Sequence, residues 1–511
     1  MKKIFVVHPF LFAVSPVLTL FSHNVGQVAF SEVALPLGFS LLAAVVLLAV
    51  SFLIFRDSVK AAILVSLFLV LFFSHGHLMR YVNNWWIGSF HIGGQKPVLL
   101  FWLVLLICCF FLLLKTRSSL AALTKVLTVA ATIMVLFPLV NIASFKIRAI
   151  SGPSLSGTSG DVLTAVPTAA DQHGGPDIYY IVLDRYGSER VLREFLDFDN
   201  SRFTRSLEER GFYVARESNA NYQITAHSMA SSLNLEYINY LSEQIGEKSS
   251  NWMPLFSRLQ DYKIWRFLKA RGYLFVHVGP KWQPTRKNKY ADLNINFQAF
   301  PEFSALLLRT TMALPILHKF GIGDLHLEKA KRLLHEFDRL AEIPLMAEPT
   351  FTLVHMLAPH GPYVYDKDGS YLHAGKASKR SRQVNYIEQL EFLNSKLLQL
   401  VDAIMEKSSE PPIIVIQGDE GPYPSTCRGP DYSWTRATQS ELRQKLGILN
   451  AYYLPGLDED FLYPTITPVN SFRLIFRHYF DANLDLLPDR VYIMQDVNHL
   501  YKFYDVTDKV K

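Results

Sequence analysis

The feature that most constrains this chain is the crowding of apolar residues into its first 150 positions. Five stretches stand out, at residues 4–21, 33–55, 61–73, 97–114 and 126–142. An α-helix rises 1.5 Å per residue, so crossing a hydrocarbon core of about 30 Å takes about 20 residues. The second stretch meets that length, and the third reaches it only by borrowing flanking residues such as Val59 and residues 74–77. Lys2 and Lys3 give the first stretch the look of a signal peptide, but no small-residue cleavage site follows and further apolar stretches come after it. The pattern predicts a transmembrane anchor domain of five helices over residues 1–148.

Lysine and arginine in the short loops orient such a domain. With the N-terminus inside, the inner loops hold Lys2, Lys3, Arg56, Lys60, Lys115, Arg117 and Lys125, whereas the outer loops hold Arg80 and Lys96. Lys146 and Arg148 follow just past the last span. Five crossings then put everything after residue 142 on the outer, extracytoplasmic face; without the third stretch as a span the topology flips and that part becomes cytoplasmic. The apolar stretches contain almost no charge, which favours an anchor over a transport pathway. The loop at residues 83–88, reading NNWWIG, suits a membrane interface, where tryptophan is enriched.

The remaining composition excludes several classes. The formal charge is +6 over 511 residues, without a run of five basic residues or an aromatic-basic stripe, so nucleic acid is not an expected partner. Of three cysteines, Cys108 and Cys109 lie in an apolar stretch and Cys427 stands alone in the rest. No disulfide framework and no cysteine-based zinc site can be built from them. An exported domain without disulfides fits a bacterial envelope.

Residues 149–176 are rich in Gly, Ser, Thr, Pro and Ala, the composition of a flexible tether. From Asp177 to Lys511 short β-rich runs alternate with helical patterns. The runs are IYYIVL before Asp184, YLFVHV at 273–278, FTLVHML at 351–357, IIVIQ at 413–417 and ILNAYYL at 448–454. Helical patterns fall at 189–196, 201–210, 328–340 and 384–405. This alternation predicts an α/β domain with a mostly parallel central sheet covered on both faces, its site at the carboxyl ends of the strands.

The residues just after those runs are Asp184, His360, and Asp419 with Glu420. Thr225 joins them, in NYQITAHSMASSLN, where a polar loop passes into a helix-compatible stretch. Carboxylates and a hydroxyl gathered at one sheet edge make a hard-cation site, suited to magnesium, manganese or calcium and tolerated by zinc. A hydroxyl held against a divalent ion at a helix N-terminus is an activated nucleophile for a phosphate- or sulfate-like centre. Each residue alone has a plainer reading: Thr225 as an ordinary helix cap, Asp419-Glu420 as a solvated turn, His360 as part of a structural Pro-His-Gly-Pro turn. Their joint arrival at strand ends favours the site.

In these motifs the chain resembles the sulfatase-like branch of the alkaline phosphatase superfamily. In plan it is similar to lipoteichoic acid synthases and lipid A phosphoethanolamine transferases. The resemblance covers about residues 177–479 together with the membrane layout. It implies that Asp184 in IVLDRYG is a metal ligand, that Thr225 in TAHSMASS is the nucleophile and also a ligand, and that His360 in APHGPY faces the substrate. The metal-binding Asp-His pair of those families corresponds to Asp419-Glu420 in IQGDEGP. The departure is Glu420, which stands where those enzymes have histidine. Either Glu420 is a carboxylate ligand, making the site harder and more anionic, or the site binds no metal. No histidine follows Asp419 until His478, and the formylglycine signature of true sulfatases is absent. Sulfate ester hydrolysis is therefore disfavoured.

Further candidates lie nearby. Lys281, Trp282 and Arg286, in a basic loop after a predicted strand, suit a phosphate or acidic glycan, or form a solvated loop. Arg185 either neutralises a transferred anion or pairs with a neighbouring carboxylate. His227 lies two residues beyond Thr225, and His355 reads as a core histidine. The resulting expectation is a multi-pass protein of the bacterial inner membrane with a periplasmic catalytic domain at 177–511 and one divalent metal ion. It would move a phosphoglycerol- or phosphoethanolamine-class substituent from a membrane lipid donor to an envelope glycan or glycolipid acceptor through a threonine intermediate. A phosphodiesterase or phosphatase using the same site, and a non-catalytic envelope scaffold, are the alternatives.

Overall fold

The computed structural model describes residues 6–150, 175–297, 301–319, 324–427, 429, 432–457 and 459–511. Most of the tether expected at 149–176, together with Lys2 and Lys3, lies outside the described residues. The chain forms two compact units.

The first unit holds α1 (His8–His23), α2 (Phe30–Phe55), α3 (Ser58–Val82), α4 (Gln95–Lys115) and α5 (Ala121–Ile150). Among the described residues four helices, α2 to α5, are long and apolar enough to cross a membrane, where the sequence pattern predicts five. The difference is α1. Its 16 residues span only about 24 Å, and it packs Phe12, Ala13, Val17 and Phe21 into a core shared with α2, α3 and α5. The stretch expected to be too short, 61–73, lies within the 25-residue α3. Asp57 starts that helix early by accepting hydrogen bonds from the Val59 and Lys60 N–H groups at 2.8 and 3.2 Å.

A second departure concerns the chain's division. The helices Glu302–Arg309 and Ala313–Lys319, read as part of the 177–511 domain, belong to the first unit. Phe303 and Leu307 are buried in the same core as Phe12 and Phe73. Gly76 of α3 donates its N–H to the Thr310 carbonyl at 2.9 Å, and the Met312 N–H donates to the Phe72 carbonyl at 3.0 Å. A Cβ at Gly76 would stand 2.0 Å from the Arg309 carbonyl oxygen, so only glycine permits this backbone-to-backbone approach.

The second unit is built on a seven-stranded sheet. Its strands are β1 (Ile178–Leu183), β2 (Tyr213–Val214), β3 (Leu274–Val278), β4 (Leu293–Ile295), β5 (Thr350–Met356), β6 (Ile413–Gly418) and β7 (Asn450–Tyr453). They run in the order β2-β7-β6-β1-β5-β3-β4. Strands β6, β1, β5, β3 and β4 run parallel; at the other edge β7 pairs antiparallel with β6, and β2 antiparallel with β7. The pattern is the mostly parallel sheet that the alternating runs predict. Along β1 the side chains divide between two cores: Ile178, Tyr180 and Val182 enter one, Tyr179, Ile181 and Leu183 the other. A strand buried on both faces reads as an unbroken apolar run, which is how IYYIVL reads. A separate antiparallel pair, β8 (Tyr492–Met494) and β9 (Phe503–Asp505), lies near the C-terminus.

Candidate active site

The parallel register of β1 and β6 pairs Leu183 with Gly418, so Asp184 and Asp419 leave the sheet side by side. The Asp419 N–H donates to the Leu183 carbonyl at 3.2 Å, and the Asp184 N–H to the Met356 carbonyl at 2.9 Å. Both side chains are buried. Asp419 Oδ1 accepts from the backbone N–H groups of Arg185 and Glu420, at 3.1 and 2.7 Å. Asp419 Oδ2 and Asp184 Oδ1 are buried without a hydrogen-bond partner among the described residues. Burial, reinforced by the charges of Asp184 and Glu420, pushes the Asp419 carboxyl well above the ordinary carboxylate range. The Thr225 hydroxyl, on the Asp419 side of this pair, works against that rise.

Thr225 is the first residue of the helix Thr225–Asn234, with Ile224 as its cap residue. The hydroxyl is therefore not used as the helix cap, and the positive end of the helix dipole stands beside it. Ala226, Ser228, Ala230, Ser231 and Ser232 are all buried, and these small side chains seat the helix closely in the unit. His227 points elsewhere: its Nε2 lies 2.9 Å from the Leu500 carbonyl, among Trp252, Tyr501 and Phe503.

Glu420 differs from its neighbour. Its Oε1 receives the Arg185 Nε–H at 2.9 Å and lies 2.6 Å from Lys445 Nζ. Lys445 comes from the helix Gln439–Leu446, is fully buried, and sits over the Tyr423 ring at 4.3 Å. Gly421 allows that helix end to come close: its N–H donates to the Lys445 carbonyl at 2.7 Å, and a Cβ there would stand 2.9 Å from the same oxygen. Burial lowers the Lys445 ammonium to about 8, with the Glu420 charge resisting the fall. Arg185 holds a left-handed backbone, φ 69°, and stacks over Tyr423 at 4.9 Å.

His360 follows β5. Its N–H donates to the Asp184 carbonyl at 3.2 Å, and its Nδ1 lies against the Gly361 carbonyl. Burial, then the charges of Arg185 and Lys329, hold the imidazole down at about 3, so it is neutral at ordinary pH. Lys329, which no sequence signal marked, is buried on the helix Leu325–Leu340 and donates to the His360 carbonyl. His355, read from sequence as a core histidine, keeps only one nitrogen satisfied. Its Nδ1 lies 2.7 Å from the Thr285 hydroxyl, whereas its Nε2 is buried without a hydrogen-bond partner among the described residues and the imidazole feels the Asp184 charge.

The loop candidates divide. Trp282 packs edge-on to His355 at 5.8 Å. Lys281 pairs with Glu328 at 3.5 Å, and Arg286 bears electrostatically on Arg332, so both face the helix Leu325–Leu340.

These positions test the metal expected from the sequence. Two buried carboxylate oxygens without partners, with a threonine hydroxyl alongside, fit a hard cation. Glu420, the further residue expected to hold the metal, has Arg185 and Lys445 paired to its Oε1. Among the described residues no three His, Cys, Asp or Glu side chains are grouped to hold a metal ion, so the fit rests on Asp184, Asp419 and Thr225.

No family model and no curated protein matches the chain. Solved structures do. The integral membrane lipooligosaccharide phosphoethanolamine transferase EptA from Neisseria meningitidis is 12% identical, with a TM-score of 0.41 over 92% of this chain and 94% of that one. The C-terminal periplasmic domain of EptC from Escherichia coli is 12% identical, with a TM-score of 0.42 over 66% of this chain and 94% of that one. A zinc complex of that domain is 11% identical, with a TM-score of 0.38 over 64% and 96%.

Proposed function

We propose that this chain is a membrane-anchored transferase that moves a phospho-substituent, of the phosphoethanolamine or phosphoglycerol class, from a lipid to an envelope glycan or glycolipid. The observation that carries the reading is the pair of unpartnered buried oxygens on Asp184 and Asp419, with the Thr225 hydroxyl beside them at a helix N-terminus. In this reading the Thr225 oxygen bonds to the phosphorus, the bond to the lipid alcohol breaks, and the threonine proton ends on the departing lipid oxygen. An acceptor hydroxyl oxygen then bonds to the phosphorus, the Thr225 oxygen–phosphorus bond breaks, and the acceptor's proton ends on the Thr225 oxygen. Arg185 and the neutral His360 orient the phospho-group.

A divalent ion, magnesium, manganese, calcium or zinc, would be held by Asp184, Asp419 and Thr225 and would favour the ionised hydroxyl. Four membrane-crossing helices keep such a site near its lipid substrate, which raises the effective concentration of one for the other. We place the catalytic unit on the outer face of the bacterial inner membrane: with α2 to α5 as the four crossings, Arg56, Lys60, Lys115, Arg117 and Lys125 fall in or beside the inner loops and α5 ends outside.

The test is mass spectrometry of the full chain after incubation with bacterial lipid vesicles. A phospho-headgroup adduct on Thr225, discharged by an added glycan acceptor, supports the reading. Discharge by water alone makes the protein a phosphodiesterase. Headgroup transfer that persists in Thr225→Ala sinks the covalent route.

A further inference from the structure

The chemistry proposed above leaves Glu420 without a task, although it is 2% exposed and carries a full complement of contacts. A carboxylate at this depth is costly unless it is paired, and two cations from distant parts of the chain converge on one of its oxygens. Their partners differ in kind. Lys445 is enclosed, its ammonium facing the Tyr423 ring, with Trp434 at 5.9 Å. Arg185 retains 21% side-chain exposure, and only its Nε is hydrogen-bonded among the described residues. Its plane is fixed twice, by the Nε–Glu420 bond and by stacking on Tyr423. The guanidinium thus keeps its terminal Nη1 and Nη2 edge for something else, while its Nε also lies 3.9 Å from Asp184 Oδ1.

We infer that Glu420 is not a metal ligand but the hub of a Lys445–Glu420–Arg185 relay that holds the Arg185 guanidinium ready to clamp the tetrahedral anion of the substrate. A guanidinium edge presents two parallel N–H donors, which match two oxygens of a phosphate group. Lys445 is a positioning residue: its ammonium, 2.6 Å from Glu420 Oε1, holds that side chain where it orients Arg185 rather than turned toward the Asp184–Asp419 cleft. The inference rests on the transferase reading only for the identity of the anion.

Two ligands separate the outcomes, Mn2+ by equilibrium dialysis and inorganic phosphate by calorimetry, both with the full chain in detergent. Because Glu420→Gln alone leaves a buried ammonium unpaired, the informative variant is E420Q/K445M, which removes both charges. It should keep Mn2+ affinity within about twofold while phosphate affinity falls about tenfold, a loss of about 1.4 kcal/mol. Arg185→Met should lose phosphate to the same extent, and Asp419→Asn should lose Mn2+ at least about tenfold. Loss of Mn2+ in E420Q/K445M equal to that in Asp419→Asn makes Glu420 a ligand and overturns the relay. Unchanged phosphate affinity in E420Q/K445M or in Arg185→Met overturns it as well. A wild-type chain that takes up no Mn2+ sinks the metal in the proposed function, and the phosphate arm then decides the relay alone.

Discussion

Two clusters of buried charge in the α/β unit meet the same cost in opposite ways. At the ends of β1 and β6 three acids, Asp184, Asp419 and Glu420, stand with Arg185 and Lys445, and the pairing is selective. Glu420 takes the Lys445 ammonium and the Arg185 Nε–H, the latter also 3.9 Å from Asp184 Oδ1, while Asp184 Oδ1 and Asp419 Oδ2 have no hydrogen-bond partner among the described residues. On the helix Leu325–Leu340, Glu328, Lys329, Arg332 and Glu336 lie three and four residues apart along one face. There Arg332 Nη2 and both Glu336 oxygens are buried without a hydrogen-bond partner among the described residues. Burial raises Glu336 to about 8 and lowers Lys329 to about 7, so this cluster sheds charge by proton exchange. In the strand-end cluster burial likewise raises Asp419 and lowers Lys445, to about 8, but there Glu420 holds two cations in direct ion pairs.

The contrast can be broken most directly at the strand ends. Thr225→Ala and Asp419→Asn should each lower headgroup transfer by about 10³-fold or more, read in a lipid-to-glycan assay, because each removes a group acting on the reacting atoms. A loss confined to KM would show that neither group acts in the chemical step. Next in size is Lys445→Met, which strands Glu420 without its enclosed partner. Breaking a buried pair in this way costs about 3–5 kcal/mol, and adding Glu420→Gln should recover most of it in denaturant unfolding. An equal stability for the single and double variants would dissolve the distinction between Glu420 and its neighbour.

The smallest effect belongs to the helical cluster and concerns pH. The folded-state value of Glu336 is raised, from an ordinary 4.5 to about 8. Its contribution is therefore fully present below about 4.5 and is lost as pH rises through about 8. Glu336→Gln should flatten the fall in thermal stability across pH 5–7 by a few degrees. Lys329 has the opposite sign, its contribution being lost as pH falls from about 10.5 through about 7, so it leaves the pH 5–7 slope to Glu336.

Much of the strand-end site is legible in the sequence because a strand buried on both faces announces itself as an unbroken apolar run. The residue after the run is then placed by the fold. Asp184 and Asp419 are found in this way, and Thr225 through its small-residue helix. Lys445 and Lys329 escape because they lie 26 and 145 residues along the chain from Asp419 and Asp184, on helices, and nothing local distinguishes a lysine on an inward face. The spacing Glu328, Lys329, Arg332, Glu336 is that of a solvated helix face, yet the face is covered. The cations paired to Glu420 are equally illegible, because one of them, Lys445, comes from a distant helix and the other, Arg185, from the end of another strand. β2 and β4 are too short to leave a pattern.

The contact at Gly76 has a practical consequence for anyone dividing this molecule. Cutting the polypeptide at residues 151–174 separates the amino-terminal spans from everything downstream only on paper. The downstream fragment still carries Phe303, Leu307 and the Thr310 and Met312 backbone groups that belong against α3. Released from the bundle, that fragment would show water an apolar surface and invite self-association. A soluble, well-behaved half would require replacing residues 301–319 as well, whereas a nicked full-length protein should co-purify as one particle.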